Sequence, residues 1–304
     1  MNVTLLSGGV GGARFARGLV AALAPGELTI VGNVGDDLEV LGLSVSPDLD
    51  SILYTLAGLG DDERGWGRAG ETWNALAAAA TWGGEDWFRV GDLDLGLHLV
   101  RTQALREGAT LSEVTARLVR AAAVEATLLP ATDDRLRTQV VTPSGTFSFQ
   151  EWFVARAHAD EVDEVRFDGA ENARPAPGVV EAMDGADVLA IAPSNPFVSI
   201  WPILAVSAIR ESLQRRRVRC VAVSPLVAGK AVKGPADRML SRMAGGTGPA
   251  NVAACYEGLI DALVIDRSDA PAQAALELVV ANSLMTDAEA ARRLAEVVLE
   301  SACG

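Results

Sequence analysis

The residues with nameable chemistry lie where short apolar runs stop. After Val3–Leu6 comes Ser7-Gly8-Gly9-Val10-Gly11-Gly12-Ala13-Arg14-Phe15. Glycines let a backbone approach a phosphate closely, and the N–H groups opening the next helix point at the anion. Gly8, Gly9, Val10, Gly11 and Gly12 are therefore candidate phosphate-binding positions. No Gly-Lys-Ser/Thr follows, so this is not a Walker loop. Arg14 stands where a dinucleotide fingerprint has its third glycine. After Leu28–Gly32 comes Asn33-Val34-Gly35-Asp36-Asp37, followed by Ser46-Pro47-Asp48-Leu49-Asp50-Ser51. An NAD site calls for an acid at the second strand's end, where Asn33 stands instead. Two acidic loops beside a phosphate loop suit magnesium, which bridges carboxylates and substrate phosphates. The competing reading is that Asp36, Asp37, Asp48 and Asp50 cap helices.

Two further loops have the same character. Ser194 and Asn195 lie in Pro193-Ser194-Asn195-Pro196, where short polar side chains and free N–H groups suit phosphate or base edges. Ser224 opens a loop that runs through Gly229 and Lys230 to Lys233. Lys230 and Lys233 are the chain's two lysines, and lysine is a compact point charge for phosphate. Between these loops, Trp66 and Trp73 could line a site for a flat ring, or simply pack in a core. His98 lies in an apolar run and reads as structural; His158, among alanines, reads as exposed. No Ser-His-Asp or Cys-His arrangement is evident.

The elements that must hold these loops follow from periodicity. Five buried strands are expected at Val3–Leu6, Leu28–Gly32, Val188–Ala192, Val218–Val223 and Ala262–Ile265. Helices are expected over Phe15–Leu23 and Ile203–Arg215. This alternation predicts an α/β, doubly wound, mostly parallel Rossmann-like sheet. Its core would comprise residues of about 1–50 and 186–304, within a single domain spanning 1–304. The span of about 51–185 is too long for one crossover. It reads as an inserted, mainly helical cap, with a helix over Leu105–Ala126 and a small β element over Thr138–Val154 turning at Pro143–Gly145.

Composition narrows the partners. A net charge of −14 argues against a nucleic-acid surface, which needs clustered cations. No apolar run is long enough to span a bilayer, no signal-peptide pattern opens the chain, and a cytoplasmic location is expected. The three cysteines are widely spaced and form no metal or disulfide framework.

In order along the chain, the strings 7–15, 33–37, 46–50, 194–196 and 224–230 resemble the 2-phospho-L-lactate transferase family of coenzyme F420 biosynthesis. Gly-Trp-Gly (65–67), Gly-Asp-Leu-Asp (91–94), Pro-Ala-Thr-Asp-Asp (130–134) and Phe-Gln-Glu-Trp (149–152) extend the likeness over nearly the whole chain. The resemblance implies a donor in which a guanosine diphosphate carries lactate, or an enolpyruvyl or glyceryl relative. The acceptor it implies is the deazaflavin alcohol Fo, with Mg2+ as cofactor, GMP as leaving group and a homodimer as assembly. It places Gly8 to Gly12, Asn33, Ser194, Asn195, Ser224, Gly229 and Lys230 around the donor nucleotide. It places Asp50, Arg89 and Trp66 at Fo, with Asp50 catalytic, and Asp36, Asp37 and Asp50 at the metal. Trp201 departs from the glycine common in relatives. The alternative is a related, non-catalytic regulator that binds UDP-sugars.

Overall fold

The computed structural model describes residues 1–303. Its centre is a sheet of seven parallel strands. In chain order they are β1 (Val3–Ser7), β2 (Leu28–Gly32), β3 (Thr127–Pro130), β4 (Val188–Ile191), β5 (Cys220–Val223), β6 (Ala262–Asp266) and β7 (Glu277–Ala281). Their spatial order is β7-β6-β5-β4-β1-β2-β3. The direction of winding reverses between β1 and β4, as in Rossmann-like folds, and ligands bind in the crevice such a reversal leaves. Every residue of β1, β4, β5 and β6 is buried. Inner parallel strands are covered on both faces, so they read as unbroken apolar runs. All five expected strands are present.

Two strands were not expected, and both are sheet edges. β3 is four residues long and ends at Pro130; an edge strand tolerates the missing N–H. β7 carries a short apolar run, Leu278–Ala281, but is mostly only partly buried. β3 also falls inside the 51–185 span, so that span is not wholly outside the sheet.

The expected helix over Leu105–Ala126 is instead the end of one helix, Asp92–Arg106, and the whole of another, Leu111–Ala121. Gly108, at φ +96°, stops the first, and a Thr110–Glu113 capping box starts the second. Residues 203–215 likewise split into Trp201–Leu204 and Ser207–Arg215. The expected small β element is a three-stranded antiparallel sheet: Arg137–Thr142 pairs with Gly145–Ser148 and with Glu164–Asp168. Trp152, fully buried, ties it to the main core.

Register sets the site. Ser7 lies opposite Gly32, Leu6 opposite Ile191, and Gly32 opposite Pro130. The loops beginning at Gly8, Asn33 and Ala192 therefore leave the sheet at one level. Helix α1 (Gly9–Ala22) buries Phe15, Ala16 and Leu19 and packs against α2 (Pro47–Leu56) and the C-terminal helix Ala288–Cys303. Gly18 makes that last contact possible: a Cβ there would meet the Ala291 carbonyl oxygen at 2.3 Å.

Gly18→Ala is expected to destabilise the chain by roughly 1–3 kcal/mol, the usual cost of overpacking, despite a helix-propensity gain of about 1 kcal/mol. Urea unfolding checks this; unchanged stability would mean that the two helices do not touch as described.

Candidate active site

The glycine loop is the first turn of α1. Gly8 is its N-cap and Gly9 adopts φ +67°. The Gly8 N-cap has no side chain to occupy the first-turn N–H groups; Asp48 takes that of Gly9, and the others can meet an anion. Two of the glycines have an additional, purely steric reason. A Cβ on Gly11 would stand 2.7 Å from the Pro193 carbonyl oxygen, and one on Gly12 2.3 Å from Ser7 Oγ. Ser194 Oγ donates to the Gly8 carbonyl at 2.6 Å. The loops after β1 and β4 are thus locked together across the switch point.

The other donor-side candidates reach this edge but are engaged locally. Asn195 Oδ1 accepts from the Phe197 N–H at 3.0 Å, and Ser224 Oγ from the Leu226 N–H at 3.2 Å. Gly229 sits in a small hairpin and donates its N–H to Asp269 at 2.7 Å. Lys230 is 78% exposed and faces Asp237 at 3.6 Å. Trp201 turns inward, its Nε1 donating to the Cys255 carbonyl at 3.1 Å and its ring edge-on to Phe197.

Asp36, Asp37, Asp48 and Asp50 are all buried beside the glycine loop and α2. Asn33 organises two of them: its Nδ2 donates to Asp36 Oδ1 at 2.8 Å and to Asp48 Oδ2 at 2.9 Å, while its Oδ1 accepts from the Gly35 N–H. Gln150 reaches Asp36 at 3.3 Å. Burial, reinforced by the charges of Asp48 and Asp37, holds the Asp36 carboxyl well above the usual range. Burial pushes Asp37 up to about 7, against the pull of Arg137 and Ser46. It pushes Asp48 up to about 6, against hydrogen bonds from Asn33 and the Gly9 N–H. Capping does not explain Asp48 and Asp50, which lie inside the first turn of α2 rather than at its N-cap, Ser46.

Magnesium can be tested against these groups. Among the described residues no three His, Cys, Asp or Glu side chains converge as a closed metal cage. Magnesium does not require one, because one or two carboxylates plus substrate phosphates suffice. Asp36 and Asp48 supply hard oxygens next to the phosphate loop, and Asp37 Oδ1 is buried without a partner. These donors fit the ion. Asp50 does not, because both its oxygens are taken by Arg101, with Nη1 donating to Oδ2 at 3.0 Å and Nη2 to Oδ1.

That pair is the centre of a buried network. Arg101 is 1% exposed; its Nη1 also lies 3.4 Å from His98 Nδ1. Tyr54 Oη donates to Asp94 at 2.5 Å, one turn along the same helix from His98. Burial lowers the His98 pKa, so the ring is neutral at physiological pH. The structural reading of His98 agrees with this packing. His158 is not simply exposed: it stacks on Phe153, with Arg238 at 3.0 Å. Arg101 was not singled out in the sequence, and Asp48 was named only within its acidic loop. The only local signal was an arginine on the buried side of a helix, and its partner is 51 positions away.

Beyond Asp50, a cleft with about 330 Å³ of open space runs between α1, α2 and the 60–67 loop, with Val10, Arg14 and Trp66 on its walls. Trp66 is 38% exposed. The Arg64 guanidinium lies 5.2 Å from the Trp66 ring and 4.9 Å from the Trp73 ring, and Arg89 lies 5.8 Å from Trp73. Arg89 and Trp66 thus belong to one aromatic–cation cluster, a shape suited to a flat ring.

The family description "2-phospho-L-lactate transferase CofD" matches residues 3–302. The chain belongs to that family. Family members of known name include a phosphoenolpyruvate transferase of Kitasatospora aureofaciens, 43% identical over 98% of this chain and 97% of its own length. Another from Streptomyces griseus is 41% identical over 99% and 98%, and one from Mycolicibacterium smegmatis is 39% identical over 99% of each. A solved structure of a UPF0052 family protein from Bacillus halodurans shares the fold, with a TM-score of 0.63 over 98% of this chain and 99% of that one, at 17% identity. The family is one of transferases, and the doubly wound sheet has its crevice at the β1–β4 switch.

Two outcomes follow for the buried charges. Asp37 and Asp48 have folded pKa values above the ordinary 3.8, so the folded chain keeps protons that the unfolded chain has released. Stability is therefore lost as pH rises from about 4 towards about 7. In metal-free buffer, Asp37→Asn is expected to raise the thermal midpoint at pH 8 by a few degrees and to flatten its fall between pH 5 and 8. Parallel pH curves for variant and parent would contradict this. Arg101→Met strands a buried carboxylate and is expected to cost about 3–5 kcal/mol, with most of that loss recovered by adding Asp50→Asn. Chemical denaturation reads both.

Proposed function

We propose that the chain transfers a phosphorylated three-carbon acid from a guanosine diphosphate-linked donor to the terminal ribityl hydroxyl of Fo, in coenzyme F420 biosynthesis. The observation that carries the reading is positional. The open helix turn at Gly8–Gly12, the Asp36–Asp48 pair and the Arg101-held Asp50 adjoin one another at the switch point of a transferase-family chain. The names of the bacterial relatives favour an enolpyruvyl donor, giving dehydro coenzyme F420-0. They also favour catalysis over the non-catalytic UDP-sugar reading.

The acceptor oxygen forms a bond to the phosphorus distal to guanosine. The bond from that phosphorus to the bridging oxygen breaks, GMP leaves with the electron pair, and the hydroxyl proton passes to solvent. Phosphoryl transfer of this kind depends on positioning and charge neutralisation more than on covalent help from the protein. Magnesium, held by Asp36 and Asp48 with Asp37 adjacent, would neutralise diphosphate charge. The N–H groups of Val10 to Gly12 orient the phosphates. The Trp66 cluster, with Arg89, positions the deazaflavin ring. Asp50 is held immobile by Arg101, and a remaining lone pair on its carboxylate accepts the hydrogen bond of the ribityl hydroxyl. A homodimer in the cytoplasm is the setting we propose.

The test is GMP release measured by chromatography. Release is expected only with Fo and magnesium both present, and faster with the enolpyruvyl than with the lactyl donor. Asp50→Ala is expected to lower kcat about 100-fold, the scale of a lost positioning contact. Unchanged turnover in that variant would remove the role of Asp50.

A further inference from the structure

We propose that Arg14 and Lys233 form an oxyanion clamp across the cleft between α1 and the 60–67 loop, holding the end of the donor remote from guanosine. This rests on the donor assignment above. It adds Arg14 and assigns the phosphate-directed role to Lys233 rather than Lys230.

The charge pattern is the first argument. The acids on the cleft wall are already matched: Asp61 pairs with Arg64, and Asp62 with Arg17 at 3.3 Å. Among the described residues Arg14, on the same wall, has no ion-pair or hydrogen-bond partner. Lys233 reaches the cleft from the other side, donating to the Gly65 carbonyl at 2.7 Å. A point beside the Gly65 Cα lies 3.0 Å from Lys233 Nζ and 3.6 Å from Arg14 Nη2. Two cations thus crowd one spot with no carboxylate between them. Partial burial and the Arg14 charge together push the Lys233 ammonium pKa down, a strain that a bound anion relieves.

Placement is the second argument. Arg14 follows the glycine loop by one turn, and helical side chains lean toward the helix N-terminus. A diphosphate on the open turn at Val10–Gly12 therefore has Arg14 beside it. Lys233 belongs to the loop after β5, on the same edge of the sheet. Of the two lysines, Lys230 is spoken for by Asp237, so Lys233 is the one that meets the loop lining the cleft. The clamped oxyanion is the donor's distal phosphate or the carboxylate of its three-carbon acid.

Binding of GDP, GMP and phosphoenolpyruvate by calorimetry separates these sources. Arg14→Gln and Lys233→Gln, each checked for an unchanged thermal midpoint, are the variants. Loss of a charge-assisted contact is expected to weaken GDP roughly 10-fold or more while leaving GMP unaltered, if the distal phosphate is held. A loss confined to phosphoenolpyruvate assigns the carboxylate. Parental affinity for both GDP and phosphoenolpyruvate in both variants overturns the clamp. Failure of the parent itself to bind any guanine nucleotide overturns instead the donor assignment. Lys233 is at the surface, so its substitution reads binding even where Arg14→Gln perturbs packing.

Discussion

Four aspartates are buried at the carboxyl edge of one parallel sheet, and burying ionised carboxylates is expensive unless each finds compensation. The fold answers differently for each. Asp50 is matched by Arg101, brought in by a helix from outside the Rossmann-like pattern. Asp36 and Asp48 share one amide, Asn33, and remain short of positive charge. Asp37 keeps one oxygen without any partner. The consequence is a site fully charged on one side and under-compensated on the other, next to a helix turn whose N–H groups await an anion. A cation together with an anionic ligand would satisfy both deficits at once, which supports the diphosphate-using reaction proposed above.

The same constraint explains why the glycines are where they are. Gly8 faces the Asp48 carboxylate, and Gly11 and Gly12 face Pro193 and Ser7 so closely that no side chain fits. The loop must be bare to pack against its neighbours as well as to admit a ligand. This close fit holds the loops after β1, β2 and β4 together, and the parallel register delivers their starting points to one level. The cleft then forms where the 60–67 loop leans over α1 and is tied by Lys233 to the loop after β5.

Much of the fold was legible because buried parallel strands are written locally, as short apolar runs ended by turn residues. β1, β2, β4, β5 and β6 carry that pattern. β3 and β7, at the sheet edges, are only partly buried, and their short runs Leu128–Leu129 and Leu278–Ala281 are less distinct from their surroundings. The break of one expected helix at Gly108 was present in the sequence, as a glycine and a Thr-x-x-Glu cap, but helical composition on both sides masked it.

The sequence by itself determined the scaffold class, the glycine loop, the acidic loops and the family likeness, since each resides in a contiguous string. Only the tertiary structure decided which charge meets which. It gave Asp50 to Arg101, left Lys230 with Asp237, and set Lys233 beside Arg14, in contacts between segments far apart in the chain. Periodicity records whether a residue is buried; it carries no record of the distant group that will share its charge.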